Sequence, residues 1–279
     1  MSPPLPSIEG LELRDSIEPP HPRSTISDRV FLSSDPKIAV KVLELGFPLH
    51  GSSAQAWLAL MQKSRSISSP HVAKVVAFGF TEHEMLPWFA MERVGGVTLL
   101  ESKQHGDRHG AIPTREILDQ LLAASTAARA AGVDAHFALN HAAFAPEGLR
   151  CWNFGVGQWR NAAREAVAGQ YTAAGQLRWV TDLTPTQATG RKLTAADESV
   201  SLALISFALR TGRHYWNADE DPSAQTMQLL MEVMSGANEA PSQRAPSAGL
   251  SGAYDAWFKS CFTGAFPGAA EAVRAFPQS

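Results

Sequence analysis

The sequence predicts an α+β fold: a small β-rich N-terminal part followed by a larger helical part. Three observations carry that expectation. Two apolar runs flank the turn Ser33-Ser34-Asp35-Pro36 and read as a hairpin. Trp57, Leu58 and Met61 recur at helical spacing just after it. Much later, the nearly unbroken apolar run from Leu202 to Leu209 describes a helix buried on all sides.

Taken in order, residues 1–22 carry Pro3, Pro4, Pro6, Pro19, Pro20 and Pro22. Proline fixes φ and removes a donor, so this segment is expected to be loose. Residues 29–32 and 37–45 form the hairpin, residues 54–64 one helix, and residues 72–80 and 88–94 two further strands. Thr114 follows a proline and opens a helix bearing Ile117, Leu118, Leu121 and Leu122, which Gly132 stops. Thr194 with Asp197 makes a capping-box pattern ahead of the apolar run. Residues 229–233 and 253–262 suggest more helices. Residues 238–252, rich in Pro, Ser, Gly and Ala, read as the surface loop between them.

The chain has 279 residues, enough for one large domain or two packed lobes. A net charge of -3 gives no electrostatic case for nucleic acid, whose phosphates want a basic surface. No apolar run approaches the roughly 18 residues of a membrane span, and MSPPLPSIEG holds no signal-peptide core. The two cysteines, Cys151 and Cys261, suggest no disulfide framework, so a reducing cytoplasm is the expected setting.

Local strings in this order resemble a protein kinase, in particular the bacterial serine/threonine kinases. Ile38-Ala39-Val40-Lys41 is similar to the V-A-I-K strand. Ser69-Pro70-His71-Val72 resembles the turn after the N-lobe helix. Met91-Glu92-Arg93-Val94, continued by Gly95, Gly96, Thr98 and Leu99, resembles gatekeeper and hinge. Trp152-Asn153-Phe154-Gly155 stands for D-F-G, Thr184-Pro185-Thr186 for A-P-E, and Arg210-Thr211-Gly212-Arg213 for the L-T-G-R after the central helix. The tail Phe266 to Phe276 is similar to the last helix of those kinases. The resemblance implies a two-lobed kinase-like fold, with the N-lobe and hinge over residues 23–94 and the helical C-lobe over 95–279. It also implies vestigial nucleotide contacts at Lys41, Met91, Glu92 and Val94, and structural roles for Phe154, Gly155, Pro185 and Asp197.

Phosphoryl transfer needs a glycine loop over the phosphates, a lysine held by a helix glutamate, a base, and two groups that hold Mg²⁺. Here Pro22 to Arg29, where the loop belongs, contains no glycine, and Asp28 would repel phosphate. Lys41 is kept, but no Asp or Glu occurs between Gly46 and Thr81, so the helix offers it no carboxylate. The catalytic loop reads His136-Phe137-Ala138-Leu139-Asn140-His141-Ala142-Ala143. Ala138 replaces the base and Ala143 one metal ligand; Phe137 replaces arginine. Loss of a general base alone costs about 10²- to 10⁴-fold. Asn153 replaces the D-F-G aspartate and brings no charge to a hard cation. The A-P-E glutamate is Thr186, and no arginine stands near Ala265-Phe266-Pro267 to receive one.

The expectation is therefore a pseudokinase with no catalytic residues and no metal. It would bind ATP weakly without metal, or not at all. It would act on a protein partner (a kinase, a phosphatase or a signalling assembly) through its helical lobe or residues 155–182. The alternative is an atypical low-activity serine/threonine kinase, or another nucleotide-dependent transferase, that reuses Lys41, Asn153 and Asp134. His105 and His109 lack the further ligands a metal demands, and Cys151 reads as a small buried hydrophobe.

Overall fold

The computed structural model describes residues 5–16, 28–105, 113–167, 182–189 and 191–277. The first strands are β1 (Leu13–Ser16), β2 (Arg29–Ser33) and β3 (Ile38–Val42). The β2–β3 turn is pinned by Asp35, whose carboxylate accepts the Lys37 N–H at 2.9 Å and whose carbonyl accepts the Ser33 hydroxyl. Helix α1 (Gly51–Arg65) follows, then β4 (Val75–Phe80) and β5 (Pro87–Glu92). Neighbouring strands are all antiparallel and lie in the order β1-β2-β3-β5-β4. Strand β3 is therefore central. Its β-branched Ile38, Val40 and Val42 suit that place, and Lys41 is enclosed with them.

Residues 7–16 correct one expectation. Leu13 pairs with Ser33 and Ser16 with Phe31, and Ile8 and Leu13 pack against Phe31, Val42 and Trp88. The prolines bracket a proline-free stretch carrying Ile8, Leu11 and Leu13, and that stretch has enough apolar surface to join the sheet. Residues 1–4 and 17–27, with the glycine-loop position at 22–27, lie outside the described residues.

Beyond residues 92–96 the chain is mainly helical: β6 (Val97–Thr98), α2 (Leu99–His105) and α3 (Thr114–Ala130), then β7 (Ala142–Ala145) and β8 (Gly148–Cys151). Strands β6, β7 and β8 form a small antiparallel sheet. Next come α4 (Val156–Ala166), α5 (Pro185–Ala188), α6 (Ala195–Thr211), α7 (Asn217–Glu220) and α8 (Thr226–Ser235), and then α9 (Pro241–Arg244), α10 (Gly252–Phe262) and α11 (Ala269–Arg274). Residues 238–252 thus contain the short helix α9 and a 3-10 turn rather than loop alone. Helix α6 is buried from Asp197 to Leu209, and its Thr194–Asp197 capping box is formed, with Asp197 accepting the Thr194 N–H at 2.6 Å. Helices α3, α10 and α11 pack around it. Among the described residues, no helix is long and apolar enough to cross a membrane.

The two parts meet at a parallel bridge between Val72 and Cys151, where the Ala73 N–H donates to the Cys151 carbonyl at 2.8 Å. Arg150 reinforces the junction. It donates to the Val72 carbonyl at 3.2 Å and to Glu92 at 2.5 Å.

Candidate functional site in the cleft

Lys41 sits on the central strand β3, which offers it no escape to water. It is 3% exposed. Its Nζ lies 3.3 Å from Asp28 Oδ2, and Arg160 of α4 donates to Asp28 Oδ1 at 2.5 Å. This corrects the expectation that Lys41 has no matched anion. The carboxylate comes from the residue just before β2, not from α1. Two cations share it, the buried Lys41 and the partly buried Arg160, and each of its oxygens already faces one of them.

Helix α4 is the element that the sequence reading missed. Val156, Trp159, Ala163 and Val167 repeat at helical spacing, and all four are buried; that period was the available signal. Gly155 starts the helix in the left-handed region, φ 72°. A Cβ there would meet Leu60 Cδ1 at 2.7 Å. Trp159 then packs on Trp57 of α1 with ring centroids 4.8 Å apart, and its Nε1 donates to the Ser53 carbonyl at 2.9 Å. So α4 holds α1 by this ring contact and hydrogen bond.

The chain leading into β7 is largely apolar. Ala138 and Ala143 are both buried. Phe137 is buried too and meets Phe154 edge-on at 5.9 Å. Asn153 has φ 73°, and its Nδ2 lies 3.1 Å from His141 Nε2. Its Oδ1 is buried without a partner among the described residues. Met91, Phe89, Met61, Trp152 and Phe154 line the narrow space beside it. Glu92 is occupied by Arg150 and by the Lys74 N–H at 3.2 Å, and partly buried Val94 packs on the N-terminal core. Asp134 is exposed. The segment 168–181 lies outside the described residues.

Further from the cleft, Asp197 serves the α6 cap, while Glu198 accepts from Ser125 at 2.9 Å and pairs with Arg129 of α3. Burial holds the Glu198 carboxyl above its usual value. Pro185 opens α5 at its first turn, capped by Thr184 and Gln187. Burial pushes the Cys151 thiol up to about 12, which leaves it an inert hydrophobe.

His136 joins α5 to α6. The Gln187 Oε1 accepts the Thr184 N–H at 2.8 Å, so its Nε2 faces His136 Nε2 at 2.7 Å. Ser201 Oγ donates to the Asp197 carbonyl at 3.1 Å and lies 3.1 Å from His136 Nδ1. A neutral ring, protonated on Nδ1, satisfies both contacts; a second proton would face an N–H. Burial accordingly lowers the pKa from 6.5 to about 4, against weaker upward pulls from Asp197 and Asp182. The unfolded chain therefore binds the proton first. Stability contributed here is present above about pH 6.5 and is lost as pH falls towards about 4. The shift corresponds to at most about 3 kcal/mol, and to about 2 kcal/mol given that the residue is partly exposed. His136→Asn is expected to flatten that part of the profile when urea unfolding is followed from pH 7 to pH 4.

No protein-family model matches the chain, and no curated protein matches it in sequence. Solved structures do match. The kinase domain of Mycobacterium tuberculosis PknI aligns at 14% identity over 96% of this chain and 95% of that one, with a TM-score of 0.65. Rad53 1-466 in complex with AMP-PNP aligns at 15% identity over 95% of this chain and 64% of that one, with a TM-score of 0.62. The chain therefore has the protein-kinase fold: a five-stranded N-lobe sheet with one helix, and a helical C-lobe. At these identities the likeness concerns the fold alone.

Proposed function

We propose that this chain is a kinase-fold protein that does not transfer phosphate and acts by binding another protein, with nucleotide bound weakly or not at all. One observation carries this reading: the cleft lysine is already neutralised from within. A phosphate approaching Lys41 would have to displace the Asp28 carboxylate from two cations, the buried Lys41 and the partly buried Arg160. The catalytic loop supports the same reading, since Ala138 and Ala143 offer neither base nor ligand. Asn153 is engaged with His141 and brings no charge.

The helical lobe supports the binding half of the proposal. Met227, Met231 and Met234 line one side of α8 and are 56%, 67% and 59% exposed. Flexible, polarisable methionines in a stripe adapt to an apolar protein surface, where their burial stabilises association.

A thermal-shift scan with ATP, with and without Mg²⁺ or Mn²⁺, tests the reading. The expected result is no metal-dependent rise in Tm. A Mg²⁺-dependent rise that Lys41→Ala abolishes would instead favour an atypical, low-activity kinase or another nucleotide-dependent transferase.

A further inference from the structure

Asp182 stands just ahead of α5 in a left-handed backbone conformation, φ 54°. A non-glycine residue is strained there and persists only where its surroundings over-determine it. Its contacts reach the loop after α6. Its Oδ1 lies 2.9 Å from His214 Nδ1, and its N–H donates to Asp219 Oδ2 at 3.0 Å. One ligand-capable atom from each of Asp182, His214 and Asp219 lies within 4.8 Å of the others, and all three residues are buried. Asp182 is 3% exposed. The hydrogen bond to His214 uses only Oδ1; the other oxygen of the same carboxylate, Oδ2, is buried with no partner among the described residues. An orphaned carboxylate oxygen in an interior is expensive unless a cation or donor answers it.

We propose that Asp182, His214 and Asp219 bind a divalent first-row transition ion, zinc in the first instance. One imidazole nitrogen with carboxylate oxygens is a borderline donor set that suits zinc. Magnesium and calcium take oxygen alone. None of the three residues belongs to the Lys41–Asp28–Arg160 group, so the ion is structural and stands apart from phosphoryl transfer. It clamps the end of the segment before α5 to the loop after α6, which Trp216 also ties by donating to the Leu183 carbonyl at 2.9 Å. That clamp would serve where the sequence lacks both halves of the A-P-E glutamate–arginine buttress. The chain distances between the three residues follow no motif spacing, so the site has no signature in the sequence.

The test uses the full chain stripped with a chelator and titrated with Zn²⁺ by calorimetry. Co²⁺ is then added to read the ligand field from its visible absorption. One equivalent is expected to bind, to give a Co²⁺ spectrum of mixed nitrogen and oxygen ligands, and to raise Tm. Asp182→Asn keeps the shape and the contact to His214, and it should weaken binding by more than the roughly 100-fold seen when only a ligand's supporting partner is lost. Absence of binding by the stripped wild-type chain overturns the proposal, independently of whether any variant folds. Binding undiminished in Asp182→Asn, or lost only when His105 and His109 are replaced by alanine, also overturns it by placing an adventitious ion elsewhere.

Discussion

Asp28→Ala is expected to lower the unfolding free energy by about 3–5 kcal/mol, the usual effect of stranding a buried charge. Lys41 and Asp28 have side chains only 4% exposed each, so neither can recover its hydration without moving the sheet. Arg160, at 15%, can turn partly outward. The double variant Asp28→Leu with Lys41→Met should therefore fall well short of the sum of the two single effects. Replacing both partners of a buried pair with apolar groups of similar size is often nearly neutral. Urea unfolding of the four chains closes the cycle. Additive losses would mean that the pair contributes no coupling in solution.

Gly96→Ala is expected to cost about 3 kcal/mol or more, enough to remove much of the stability of an ordinary domain. Gly96 has φ 110°, and a Cβ there would lie 1.7 Å from the Phe144 carbonyl oxygen. That atom is backbone and belongs to β7, which pairs with β6 directly after the glycine. Relief therefore requires separating the strands that fix how residues 92–96 enter the helical lobe. The neighbouring Gly95 is the internal control. A Cβ there meets nothing within 4 Å, and Gly95→Ala should be close to neutral. Equal losses at both positions would remove the steric explanation.

What the sequence made legible was local. The hairpin around Asp35, the capping box of Thr194 and Asp197, and the buried run of α6 are each set by a few adjacent side chains, and each forms as read. The reading of Ala138, Ala143 and Asn153 as replacements has the same local basis: they lie inside short strings. What escaped was tertiary. Arg160 meets Asp28 across 132 positions of chain, and no pattern in either neighbourhood marks the pairing. An absence of acid on α1 therefore did not mean an absence of acid beside Lys41. Strand β1 was hidden by counting prolines across a window whose middle has none. Helix α4 lies within residues 155–182, the stretch that the kinase resemblance treats as one docking segment. Its amphipathic period was present throughout, and only the packing of Trp159 on Trp57 shows what that period is for.

The central claim is that, among the described residues, the cleft carboxylates Asp28 and Glu92 are committed to the protein's own cations and are not left to gather a metal around a triphosphate. Crystals grown with ATP and Mn²⁺, measured at the manganese absorption edge, examine it directly. No anomalous peak is expected between Lys41 and Asn153, with Asp28 still in contact with Lys41 and Arg160. A manganese peak ligated there by Asp28 and by phosphate oxygens would contradict the claim.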